Sequence, residues 1–143
     1  MQNMHILLVE DNEGDVLLTR EALSDAAINS KVTVSRDGEQ AITYLNNALT
    51  NPADLLPDLI LLDINLPKID GKEVLRYIKN NPSLKKIPVV MLTTSSSELD
   101  IADSYSNNAN CFISKPVNID KFFDVVKMIE NFWLTTVQLP IKD

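Results

Sequence analysis

The chain has 143 residues, 45% of them hydrophobic and 23% charged, with a formal net charge of −7. That length fits one domain burying roughly two-thirds of its unfolded surface, and the acidic excess argues against a face that tracks nucleic-acid phosphates or an anionic membrane. No apolar run approaches the roughly 18–20 residues of a membrane-spanning helix, and Met1 to His5 carries no basic segment leading into a longer apolar one, so a cytoplasmic protein without an export signal is expected.

Short continuous apolar runs alternate with helical spacing along the whole chain. His5–Glu10 reads as a buried strand, and Asn12–Ala27 as a helix with Val16, Thr19, Leu23 and Ala26 on one stripe. Lys31–Ser35 alternates Val32 and Val34, as a strand does. Asp37-Gly38 then turns the chain into a helix with Ala41, Ile42, Leu45 and Leu49 inside. The prolines of Thr50–Pro57 mark a loop. Leu59–Leu62 is the third strand and Gly71–Asn80 a helix built on Val74, Leu75 and Ile78, which Pro82 ends. Val89–Leu92 is the fourth strand, Glu98–Ser106 the fourth helix and Cys111–Ser114 the fifth strand. Ile119–Leu134 is a long last helix with Phe122, Val126, Ile129 and Trp133 along one face. Five strand–helix units without a repeat or a linker predict one α/β domain over 1–143, with helices on both faces of a parallel sheet.

The strand ends carry the chemistry. Ile6-Leu7-Leu8-Val9 closes on Glu10-Asp11, Leu59-Ile60-Leu61-Leu62 on Asp63, Val89-Val90-Met91-Leu92 on Thr93, and Phe112-Ile113-Ser114 on Lys115-Pro116. In an open parallel sheet ligands collect outside the carboxyl ends of the strands, so acid, acid, hydroxyl and ammonium describe one site. An acid at a strand end often only caps the next helix, and Thr93 taken alone fits a strand by β-propensity. Three carboxylates converging within about 5 Å, however, repel by roughly 3 kcal/mol per pair at an effective dielectric of 20. A cation must sit there. Lys115 supplies one charge, and oxygen ligands without a His or Cys cluster select a hard ion such as Mg²⁺. The only histidine, His5, reads as an ordinary strand-end residue, and Cys111 as core, which also leaves no internal disulfide. Asp63 could be a metal ligand or a nucleophile, since carboxylates form acyl phosphates when a cation neutralises the incoming oxygens. Pro116 fixes the turn after Lys115 and is a candidate for a cis bond.

Glu10-Asp11, Asp63 with Gly71 eight residues later, Thr93 and Lys115-Pro116 together resemble the receiver domain of two-component response regulators. More narrowly, Val9-Glu10-Asp11-Asn12, Asp15, the loop around Pro52–Pro57, Leu92-Thr93-Thr94-Ser95, Asp100-Ile101, Ala109-Asn110 and Asn131-Phe132-Trp133-Leu134 resemble the stand-alone receivers that partner phytochrome-type sensor kinases.

The resemblance implies a flavodoxin-like strand order 2-1-3-4-5 and a single receiver domain without an output domain. It further implies that Asp63 takes a phosphoryl group from a phosphohistidine on a sensor histidine kinase. Asp11 would ligate Mg²⁺ directly, Glu10 through water, and Asn65 through its backbone carbonyl. Lys115 would pair with the phosphoryl group and Thr93 close onto it, with Phe112 as the aromatic switch position. Three departures stand out. Glu10 replaces the commoner aspartate, Phe112 lacks a tyrosine's hydroxyl so that its switch works by burial, and Asn108 stands where glycine is frequent, at a helix end that calls for a left-handed residue.

Self-phosphorylation and slow self-dephosphorylation would make such a protein a switch, not an enzyme with turnover. The last helix also carries Phe123, Val125 and Phe132, an apolar excess that either covers the bottom of the sheet or, with the fourth helix and fifth strand, forms a homodimer interface.

Rival classes fit less well. A haloacid-dehalogenase-type phosphohydrolase needs a second aspartate two residues after the nucleophile, where this chain has Asn65. An FMN carrier needs a phosphate-cradling loop, and the chain has three glycines in all. A non-phosphorylated receiver-like interaction module would be expected to lack one of Asp11, Asp63 or Lys115.

Overall fold

A computed structural model describes residues 4–24, 30–51, 56–94, 98–116 and 118–132. Strands β1 (Met4–Val9), β2 (Ser30–Ser35), β3 (Leu59–Leu62), β4 (Val89–Thr93) and β5 (Cys111–Ser114) alternate with helices α1 (Glu13–Ser24), α2 (Gly38–Thr50), α3 (Gly71–Asn80), α4 (Glu98–Ser106) and α5 (Ile119–Glu130). The strands form one parallel sheet in the order β2-β1-β3-β4-β5. The expected order is therefore the observed one.

Side-chain alternation along the central strands divides the core in two. Leu7, Val9, Ile60, Leu62, Val89 and Met91 pack under Ala41 and Leu45 of α2 and Val74, Leu75 and Ile78 of α3. Ile6, Leu8, Leu59, Leu61, Val90 and Leu92 pack on the other face under Val16 and Leu23 of α1 and Phe122, Val126 and Ile129 of α5. With both faces covered, β1, β3 and β4 can be continuous apolar runs, as strands of a parallel sheet usually are. Cys111 is half-buried against the α1/α5 cluster.

Helix ends follow local chemistry. Asp37 caps α2 by accepting from the Gln40 N–H at 2.7 Å, Asp70 caps α3 from Lys72 N–H at 2.7 Å, and Asn118 caps α5 from Lys121 N–H at 3.2 Å. Asn108 has φ 68°, the left-handed conformation expected of it. Its N–H donates to Tyr105 O at 2.9 Å and Ala109 N–H to Ser104 O at 3.0 Å, which together make the Schellman closure of α4.

Some boundaries differ from the expected ones. Asn12, expected inside α1, is its cap, with Oδ1 accepting from Asp15 N–H at 3.0 Å. The helix is described to Ser24; Ala26, Pro52 and Ser95 lie outside the described residues, as do Trp133 and Leu134 beyond α5. In α2 the deep positions are Ala41, Leu45 and Ala48, while Ile42 and Leu49 flank them half-buried.

Candidate functional site at the carboxyl edge of the sheet

Parallel register brings the strand ends level. Val9 pairs with Leu62, so Glu10 and Asp63 emerge side by side, and Thr93 pairs with Ser114, so Lys115 follows at the same edge. The Asp63 N–H donates to Val9 O at 3.1 Å and the Lys115 N–H to Thr93 O at 2.7 Å, extending the ladder into the site. Carboxylate oxygens of Glu10, Asp11 and Asp63 all fall within 4.8 Å of one another. Glu10 and Asp63 are buried and Asp11 is exposed, so the cluster opens to solvent on the Asp11 side.

Lys115 is the counter-charge. Its buried ammonium donates to Glu10 Oε1, to Asp15 Oδ2 at 2.8 Å and to Asp63 Oδ2 at 3.2 Å. Burial pushes the pKa of this lysine down, but its hydrogen bonds to Asp15 and Glu10 and the charge of Asp63 outweigh that and raise the pKa above the ordinary value. Glu10 is under the opposite pressure. Desolvation pushes its carboxyl up to about 7, with Lys115 acting against the shift and the charge of Asp63 adding to it. None of the three hydrogen bonds of Lys115 reaches Asp11, whose carboxylate remains for another cation. The donor set is all oxygen, held at one open edge, and suits a hard divalent ion.

The remaining expected residues are placed as follows. Asn65 is exposed, and its backbone N–H donates to Asp63 Oδ1 at 3.3 Å. Thr93 is fully buried at the end of β4, one residue past the level of Asp63. Phe112 lies half-buried against the α2/α3 core cluster, on the same face of the sheet as Met91. The Lys115–Pro116 bond is trans, contrary to expectation, since the described residues contain no cis peptide bond. The Lys115 N–H carries the β4 ladder up to the proline, and the trans form is intrinsically favoured by roughly 0.5–1 kcal/mol.

Four features were not read from the sequence. Asp15 joins Lys115 from the first turn of α1. Lys68 adopts φ 66° inside a three-residue turn closed by Ile69 N–H to Pro67 O at 2.8 Å. Gly38 packs against that turn, where a Cβ would meet Ile69 O at 2.0 Å. Tyr105 of α4 reaches the outer edge of β5, its hydroxyl accepting from Phe112 N–H at 3.1 Å. A lysine separated by one residue from Asp70-Gly71 gives no local hint of such backbone, and the Tyr105 contact depends on how α4 docks.

A five-stranded parallel receiver topology with acids, hydroxyl and lysine at the carboxyl edge defines a phosphotransfer-type signalling domain. Residues 6–127 match the response regulator receiver domain family, and the chain belongs to it. It is 47% identical over 135 residues to the response regulator Rcp1 of Synechocystis sp., covering 94% of this chain and 92% of Rcp1. The crystal structure of the phosphorylated cyanobacterial phytochrome response regulator RcpA superposes with a TM-score of 0.94 at 48% identity, covering 98% of this chain and 100% of that one. The Mn²⁺-bound form of Rcp1 gives 0.91 at 46% identity, covering 96% and 99%.

Proposed function

We propose that Asp63 is the phosphoacceptor of a two-component relay. An Asp63 oxygen attacks the phosphorus of a phosphohistidine on a sensor kinase, the P–N bond breaks, and the electron pair stays on the departing imidazole. The observation that supports this most is the Lys115 ammonium 3.2 Å from Asp63 Oδ2, in a cluster whose acids outnumber it. Glu10, Asp11 and Asp63, with the Asn65 carbonyl, would hold Mg²⁺, which when bound supplies positive charge to the phosphoryl oxygens.

The phosphoryl group carries about −1.5 to −2 charge and new acceptor oxygens. Lys115 pairs with it and the Thr93 hydroxyl closes onto it. Phe112, on the same face of the sheet as Thr93, follows by burying itself more deeply. The readout surface is then α4, β5 and α5, where a second copy docks. The protein so acts as a cytoplasmic switch that stores one phosphoryl group, and not as an enzyme with turnover. The similarity to cyanobacterial phytochrome regulators supports a phytochrome-type kinase as donor. Intact-protein mass after acetyl phosphate and Mg²⁺ tests the assignment. Wild type should gain one phosphoryl group and Asp63→Asn none; equal labelling would reject Asp63.

A further inference from the structure

An ammonium has three N–H donors, and in this structure Lys115 spends all three on Glu10, Asp15 and Asp63. A phosphoryl oxygen on Asp63 can gain Lys115 only if one of these bonds gives way. The three acids are not equally held. Glu10 is 3% exposed and its Oε2 also accepts the Asn12 N–H at 3.1 Å, and Asp63 is 7% exposed, whereas Asp15 is 25% exposed. Asp15 also sits in the first turn of α1, where the helix N-terminus and water both accept a carboxylate released from the lysine.

The local hydrogen bonding shows that Asp15 is committed to Lys115 and not to its own helix. Asn12 caps α1 through Asp15 N–H, and in the usual reciprocal arrangement the side chain at position 15 would return to the Asn12 N–H. That N–H is already taken by Glu10. The Asp15 carboxylate is thereby left to reach 100 positions along the chain to Lys115.

We infer that Asp15 is a positioning residue that competes with the phosphoryl group for Lys115, so that it holds the lysine in the resting state and is displaced from it when Asp63 is loaded. The inference rests on Asp63 as the phosphoacceptor. Asp15 thereby lowers the affinity of the site for a phosphoryl group and sets how readily the loaded state is lost. Removing its charge frees the third donor in advance.

Beryllofluoride, a phosphoryl mimic for carboxylates, is the probe. Its Mg²⁺-dependent affinity would be measured by calorimetry in wild type, Asp15→Asn, Lys115→Met and the double variant, with Asp63→Asn as the control and circular dichroism to confirm folding. Asp15→Ser provides a second test should the asparagine variant not fold. Asp15→Asn should bind roughly two- to fivefold more tightly than wild type, the range of a partly exposed ion pair. In the Lys115→Met background the same change should have no effect, because a competitor acts only through the lysine. Unchanged or weaker binding by Asp15→Asn would overturn the inference, and an equal gain in both backgrounds would reduce Asp15 to general repulsion and overturn it too. Binding by Asp63→Asn as tight as wild type would instead reject the phosphoacceptor assignment, and the competition with it.

Discussion

Gly71 lies against the backbone of Asp63: a Cβ at position 71 would fall 2.0 Å from the Asp63 carbonyl oxygen and 2.7 Å from Ile64 Cα. The loop from Asp63 returns here to start α3, and Gly71 N–H donates to Ile64 O at 2.8 Å. The eight-residue spacing is thus a packing requirement on the strand end that carries the acid.

Gly71→Ala should therefore destabilise the fold by about 1–3 kcal/mol, the usual range for inserting a methyl where nothing can yield. It should also slow labelling from acetyl phosphate, because relief of the clash moves Asp63. Urea unfolding and the mass assay check both effects. Stability and labelling both equal to wild type would show that the loop relaxes without moving Asp63.

Much of the fold was legible because its determinants are local. Leu59–Leu62 and Val89–Leu92 are apolar on both faces, which only a covered sheet tolerates, and α3 is bounded by Asp70 and Pro82, both of which act on neighbouring backbone. Asn108 was legible for the same reason, since its left-handed φ serves the end of its own helix. The convergence of Glu10, Asp11 and Asp63 followed from strand polarity alone. Asp15 and Gly38 were not legible. One meets a lysine 100 positions away and the other meets Ile69, and neither contact has a periodic or capping signature. Phe123 and Val125, read as surplus apolar groups on α5, are half-buried against the α1/α5 cluster, which leaves Ile119 and Met128 of α5, and Phe132 just past its end, as the large exposed apolar groups there among the described residues.

Asp11 and Glu10 should differ in their effect on the metal. Asp11 is exposed and makes no bond to Lys115, so it is the acid best placed for direct ligation. Asp11→Ala should abolish Mg²⁺-dependent phosphorylation. Glu10→Gln should weaken Mg²⁺ binding by roughly ten- to hundredfold, as loss of an outer-shell contact does. Calorimetric titration with Mg²⁺ compares them, and undiminished binding by Asp11→Ala would reject this coordination.

Glu10 also makes apo-protein stability depend on pH. Its folded-state pKa of about 7 stands above the ordinary 4.5, so the folded state holds this proton more tightly than the unfolded one. The stabilisation from this group is fully present below pH 4.5 and is lost as pH rises through about 7. Glu10→Gln removes the titration. In EDTA, the variant should gain on wild type between about pH 5 and about pH 8, and urea midpoints measured across that range give the difference. A constant gap would mean that Lys115 keeps Glu10 ionised throughout.

Met128 of α5 is 67% exposed and Phe132, two residues past its end, 53%, and Leu99 and Tyr105 are exposed on α4, which packs against β5. Tyr105 already spans from α4 to the outer edge of β5 through the Phe112 N–H, so the two elements present one continuous surface beside the proposed switch residue. An isologous contact would set this surface against its own copy. Because Phe112 belongs to it, phosphorylation should change its self-affinity. Sedimentation of wild type and Phe132→Glu, each with and without acetyl phosphate, checks this. Wild type should dimerise more strongly when phosphorylated, and Phe132→Glu should stay monomeric, since a carboxylate buried at the two-fold contact would lack a partner. Four monomeric samples would assign the patch to a different protein.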